Sequence, residues 1–142
     1  MVTEKEMQEK YMVYQYLEQQ MKQVQQQLQN IDQQLVELEG VKKALADLKE
    51  VPINADILVP VASGIFVKAK LLEHEDLLVN VGDNVSVKKK YPEAQALLEK
   101  QGIELMNFRH NLLEALQKLS GQAELVEQTL QKMVKEHEES NV

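Results

Sequence analysis

The chain has 142 residues, 44% of them hydrophobic, yet only two Phe, four Tyr and no Trp, so one domain with a thin, aliphatic interior is expected. It contains no Cys, which excludes disulfides, thiolate metal sites and cysteine nucleophiles. The formal charge is −7, with six basic and nine acidic side chains in residues 1–50, five of each in 51–92, and five and nine in 93–142; no basic stripe is present to neutralise phosphates, and nucleic acid is not an expected partner.

The opening, MVTEKEMQEK, is too polar for the apolar core of a signal peptide. No apolar run in the chain approaches the roughly 20 residues that span a bilayer. A cytoplasmic protein without membrane contact is the expectation. The first third then shows a sustained seven-residue pattern. One register runs Met7, Tyr14, Met21, Leu28, Leu35, and a second runs Leu17, Val24, Ile31, Leu38, Leu45. Their alternation in steps of four and three is the a/d seam of a left-handed coiled coil. The seam is expected to break at Lys42, with Val41, Leu45 and Leu48 continuing on a shifted stripe. The Gln25-Gln26-Gln27 tract is punctuated by Met21, Val24, Leu28 and Ile31; it therefore reads as the solvated face of a helix and not as a low-complexity segment.

The middle, residues 51–91, changes period. Val59, Val61, Ile65, Val67, Ala69 and Leu71 alternate with Pro60, Ala62, Phe66, Lys68 and Lys70 around Ser63-Gly64, a two-residue hairpin turn. A second hairpin is predicted from Leu77-Leu78-Val79-Asn80-Val81 and Val85-Ser86-Val87. These flank Gly82-Asp83-Asn84, three residues that tolerate positive φ. Pro60 cannot donate to a ladder, so its strand lies at an edge or carries a bulge.

The last third returns to heptads. Leu98, Leu105, Leu112, Leu119, Val126 and Met133 recur every seven residues, with Phe108, Leu116, Ala123 and Leu130 at the alternate positions. Pro92 suits a first helical turn and Glu93 complements the helix dipole there. Each helix of about 45 residues is about 68 Å long. Two matched helices with a compact connector fold back as an antiparallel pair. If Glu50 sits near Glu93, facing residues have numbers that add to about 143. Gly40 and Gly102 then fall at nearly one level, as a close approach of the helices, an interruption beside Lys42, or a bending point, and each costs about 1 kcal/mol relative to Ala.

A two-helix coil has no large core, and an isolated hairpin is marginal in water. The apolar strand residues Val59, Val61, Ile65, Phe66, Val67, Leu78, Val79, Val81, Val85 and Val87 exceed what two helix ends cover. Strands of other subunits must meet them, most simply by closing a barrel. Lys88-Lys89-Lys90 reads as a guard against wrong edge pairing. Catalytic groups are missing. His74, His110 and His137 fall in separate elements without ligand spacing. His74 with Glu75 and Asp76 reads as a solvated loop, and no Gly-rich phosphate loop occurs. Neither a metal nor a cofactor is expected, and the chain does not read as an enzyme.

The order helix, hairpin, hairpin, helix resembles prefoldin. The stretch Val59-Pro60-Val61-Ala62-Ser63-Gly64-Ile65-Phe66-Val67, followed by Leu78-Val79-Asn80-Val81-Gly82, is similar to the double hairpin of its alpha-type subunit. The resemblance implies a mainly α fold with a small β part: a long antiparallel two-helix coiled coil whose helices are joined by two β-hairpins that complete an intersubunit β-barrel. It implies one domain over 1–142, with coiled-coil helices over 4–50 and 92–139 and the double hairpin over 51–91. The function it implies is an ATP-independent holdase chaperone. Two alpha and four beta subunits would share the barrel, a second alpha subunit meeting this one. Unfolded client proteins would be held at the coil tips and passed to a group II chaperonin. The client-binding tip would comprise Met7, Tyr11, Met12, Val13, Tyr14, Tyr16, Leu17, Met133 and Val134. Of these, Tyr11, Met12, Val13 and Tyr16 exceed what a seam needs, and flexible Met and amphipathic Tyr suit varied apolar partners. The competing expectation is a structural or adaptor coiled coil whose tip binds one defined partner.

Overall fold

A computed structural model describes residues 2–140. The order of elements is helix α1 (Glu4–Glu50), strands β1 (Asp56–Ala62), β2 (Ile65–Lys70), β3 (Asp76–Asn80) and β4 (Ser86–Lys90), then helix α2 (Tyr91–Ser140). Thr3 caps α1. Its Oγ1 accepts the Glu6 amide at 3.2 Å, so Thr3 and Glu6 form the Ser/Thr-x-x-Glu start signal. Pro52 and the left-handed Asn54 (φ 69°) follow the end of the helix. The molecule divides into two units, residues 34–105 and the remaining chain on either side of them.

The 34–105 unit holds both hairpins. β1 pairs antiparallel with β2, with Val59 opposite Val67 and Pro60 opposite Phe66. The register slips between Pro60 and Ala62, which leaves Val61 as the extra residue of a bulge beside the proline. Gly64 takes φ 78° in the turn. β3 pairs with β4 in the same manner, Val79 opposite Val87. Three left-handed residues in succession, Gly82, Asp83 and Asn84, make the second turn. Val81 and Val85, expected within the strands, instead close that turn by an amide-to-carbonyl bond of 3.0 Å.

The two hairpins are copies of one pattern at an offset of 20 residues. Asp56–Lys70 and Asp76–Lys90 share their acid, Leu58/Leu78, Val59/Val79, Val61/Val81, Val67/Val87, Lys68/Lys88 and the closing lysine. The cross-strand partners are equivalent as well, and an Asp–Lys ion pair closes each base, Asp56–Lys70 at 3.8 Å and Asp76–Lys90 at 2.7 Å. Lys90 is thus a structural partner, not only a guard of the edge. Its hydrogen bond holds the Asp76 carboxyl below the usual carboxylate range, and the same bond raises Lys90. The pair therefore stabilises the hairpin above the ordinary Asp range. That contribution is lost as pH falls through the lowered value, and at the other end as pH rises through the raised lysine value. The Tm gap between the parent and Asp76→Asn is expected to be widest near neutrality and to close on acidification. A gap independent of pH would show that the pair contributes nothing.

Within each unit the helices pack along a narrow seam whose buried residues are Leu17, Ile31, Leu112 and Ala123 in one and Leu38, Tyr91, Ala94 and Gly102 in the other. The pairs Glu4–His137, Asp32–Arg109 and Lys42–Glu99 define an antiparallel register. Their residue numbers add to 141, two less than setting Glu50 opposite Glu93 would give. The register corrects two sequence expectations. Lys42 does not break the seam: it keeps its inward heptad position, with its ammonium 3.3 Å from Glu99, while Val41 is exposed. Phe108 is not a seam residue. Arg109 holds that position, donating to Asp32 at 2.7 Å, and Phe108 faces outward. Gly102 marks a close approach, since a Cβ there would lie 3.3 Å from a Leu38 methyl and 3.4 Å from Lys42 Nζ. Gly40 is exposed with nothing near it.

Candidate functional site

Two surfaces carry more apolar area than the fold covers. The first is the strand surface. In a two-stranded sheet each strand has a free edge, and successive side chains alternate between faces, so neither face is buried unless another layer covers it. Val59, Val61, Ile65, Phe66, Val67, Val81, Val85 and Val87 are all exposed, and Leu78 is 78% exposed. Val79 alone of the ten expected residues is half-buried. With Leu77 and Leu78 it lines an open groove of about 460 Å³ whose helical wall includes Leu38, Val41 and Leu45. Exposed Val41 thus serves this groove rather than the coiled-coil seam.

Tyr91 ties this surface to the helices, at a position that the sequence marks only as the end of the middle segment. Its amide donates to the Glu75 carbonyl at 2.8 Å. Its ring is 4% exposed, and its hydroxyl donates to the Leu45 carbonyl of α1 at 2.7 Å. Lys49 Nζ lies 4.9 Å from the ring centroid, within cation–π range. An aromatic residue directly before a proline and after three lysines is the only sequence signal for it.

The second surface belongs to the other unit, at the start of α1 and the end of α2. Leu17 is buried, and Met7, Tyr14 and Met133 are half-buried, as seam residues should be. Tyr11, Met12, Val13, Tyr16 and Val134 are exposed, Met12 to 67%. Glu18, one helical turn on, raises the Tyr14 phenol above its ordinary value, first through a side-chain hydrogen bond and then through its charge. Leu125, not singled out from the sequence, is exposed on α2 in the same unit. The geometry is a thin ridge with apolar groups on its flanks.

Asp76, once grouped with His74, is engaged by Lys90, and among the described residues no cluster of three or more His, Asp or Glu is arranged to hold a metal. No helix in the described residues is long and apolar enough to cross a membrane. What the two surfaces can do is bury area against other chains.

Comparison with known proteins identifies the architecture. Residues 17–136 match the family Prefoldin, described as prefoldin subunit. The chain is similar to the cryo-EM structure of filamentous PFD from Methanocaldococcus jannaschii, with a TM-score of 0.71 and 26% identity over 78% of this chain and 92% of that one. No curated protein matches it in sequence. Two long helices, a pair of β-hairpins between them and a family match across both helices and both hairpins lead to one assignment: the chain belongs to the prefoldin family and is a chaperone-type subunit.

Proposed function

We propose that this chain is an alpha-type prefoldin subunit, a holdase that captures unfolded proteins at its helix ends without nucleotide and passes them to a group II chaperonin in the cytoplasm. The observation that carries this reading is the pair of hairpins. A second complete copy of the strand pattern, offset by 20 residues, supplies twice the uncovered apolar edge of a single hairpin. Such a chain can engage two neighbours at once, as a hetero-hexamer of two alpha and four beta subunits requires. Strands from those neighbours would cover Val59, Val61, Ile65, Phe66, Val67, Leu78, Val79, Val81, Val85 and Val87 and close the barrel. At the other surface, Tyr11, Met12, Val13, Tyr16 and Val134 would contact clients, with Met7, Tyr14, Leu17 and Met133 holding the ridge in shape.

The test is suppression of client aggregation by the assembled complex. Burying such side chains fully is worth roughly 1.5–3 kcal/mol each, but a mobile client realises only part of it. Single changes should be mild, because several arms act together. Changing Tyr11, Met12, Val13 and Tyr16 together to Ser, in a complex whose other tips are truncated, should weaken capture and leave assembly intact. Capture should be equal with and without ATP. Undiminished holding by the quadruple variant, or a nucleotide requirement, would overturn the reading.

A second reading follows from the filamentous relative, in which copies of this chain alone complete the strand surface. Native mass spectrometry separates the two. Long homopolymers of the isolated chain favour the filament, whereas weak association resolved by a beta-type partner favours the hexamer.

A further inference from the structure

The ends of the helices that carry the exposed apolar residues also carry most of the charge. Residues 4–20 and 124–140 hold nine carboxylates against four lysines, a balance of five negative charges out of the chain's net seven. Two open grooves flank this end of the molecule. One, of about 430 Å³, sets Glu6, Glu9 and Lys10 around Val13 and Met133. The other, of about 490 Å³, sets Glu127, Lys135 and Glu138 around Tyr11, Leu130 and Val134, with Gln131. Each groove therefore offers an apolar wall and two carboxylates to one ammonium.

Glu4 lies 3.9 Å from His137, but among the described residues no ion pair joins Glu6, Glu9, Glu127 or Glu138. Their charge is left to act on whatever enters the grooves. Apolar walls alone accept any unfolded segment. Carboxylates beside them discriminate, because an anionic segment is repelled and a cationic one gains contacts that water does not fully screen at this distance. The same field draws cationic chains before contact and raises their association rate. It also keeps like-charged tips from sticking to one another through their exposed Tyr and Met.

We infer that this tip selects apolar segments interleaved with lysine or arginine. The inference rests on the tip being the client surface. The experiment uses the assembled complex of the full chain, with the tips of the other subunits truncated, and two synthetic peptides of equal length and equal Leu, Tyr and Val content. One peptide carries lysine at the intervening positions and the other glutamate. Binding is followed by fluorescence anisotropy at low and high salt. At low salt the lysine peptide should bind about tenfold more tightly, and the gap should close at high salt. Changing Glu6, Glu9, Glu127 and Glu138 together to Gln should erase the gap and leave the glutamate peptide's affinity no weaker. Equal binding of both peptides by the parent would overturn the charge selection while leaving the client surface standing. An undiminished gap in the Gln variant would place the selection elsewhere and also overturn it. If neither peptide bound, the client surface itself would be wrong.

Discussion

Replacing Val67 by Glu is expected to abolish assembly with partner subunits while leaving both helices intact. Val67 is exposed in the isolated chain and lies opposite Val59 in the centre of the first hairpin. A carboxylate there is harmless while water reaches it. Once a neighbouring strand covers the site, the unpaired charge costs several kcal/mol, and each 1.4 kcal/mol is a tenfold loss of affinity. Association should weaken by about a thousandfold or more, read as loss of the oligomer in native mass spectrometry at unchanged helical circular dichroism. The equivalent change at Val87 should act alike, because it occupies the same position of the repeated pattern opposite Val79. Normal assembly of both variants would mean that these faces stay in water and that the partners meet elsewhere. Val67→Thr, which adds a hydroxyl but no charge, should be tolerated far better.

The second large effect concerns stability. Tyr91→Ala removes a ring that is almost fully buried between the helix ends and the strands, and such truncations cost about 3–5 kcal/mol. For a chain of this size that is about 10 °C or more in Tm. Tyr91→Phe keeps the ring and its contact with Lys49 but loses the donation to the Leu45 carbonyl, a loss of about 1 kcal/mol. The carbonyl is left with its helical partner, so no buried acceptor is orphaned. The ratio between the two variants is the informative quantity. Equal effects would mean that the hydroxyl alone secures the joint, and no effect from either would remove Tyr91 from that role. Because Tyr91 directly follows β4 and its amide bonds Glu75, the residue before β3, the Ala variant should raise hydrogen exchange in β3 and β4 before it affects the helix ends of the other unit.

Much of this protein is legible from local chemistry. Heptads of Met, Leu, Ile and Val demand long paired helices. Gly64 and Gly82-Asp83-Asn84 demand turns because they accept positive φ, and Pro60 demands an edge or bulge. The excess of Tyr11, Met12, Val13 and Tyr16 over a seam is equally a matter of counting positions on a helix. The repeated hairpin was also present in the letters, but period-two alternation hides it. An alternating pattern looks alike in any strand, and the equivalence shows only when Asp56–Lys70 and Asp76–Lys90 pair in identical registers.

The contents of the seam were decided only by the tertiary structure. A hydrophobicity pattern assigns inward positions to apolar residues, so it skipped Lys42 and preferred Phe108 to Arg109. Inward position is set by the facing helix, not by residue type. In the register where numbers add to 141, Lys42 meets Glu99 and Arg109 meets Asp32, and a partnered charge in a half-exposed seam costs little while one register is favoured over its neighbours. Gly102 follows from the same geometry, since Leu38 and Lys42 occupy the space a side chain would need. Helices, turns and surplus apolar residues are thus properties of neighbours in sequence, which the sequence alone determined. Register, polar seam partners and the anchoring of Tyr91 depend on residues tens of positions apart, and only packing brings those together.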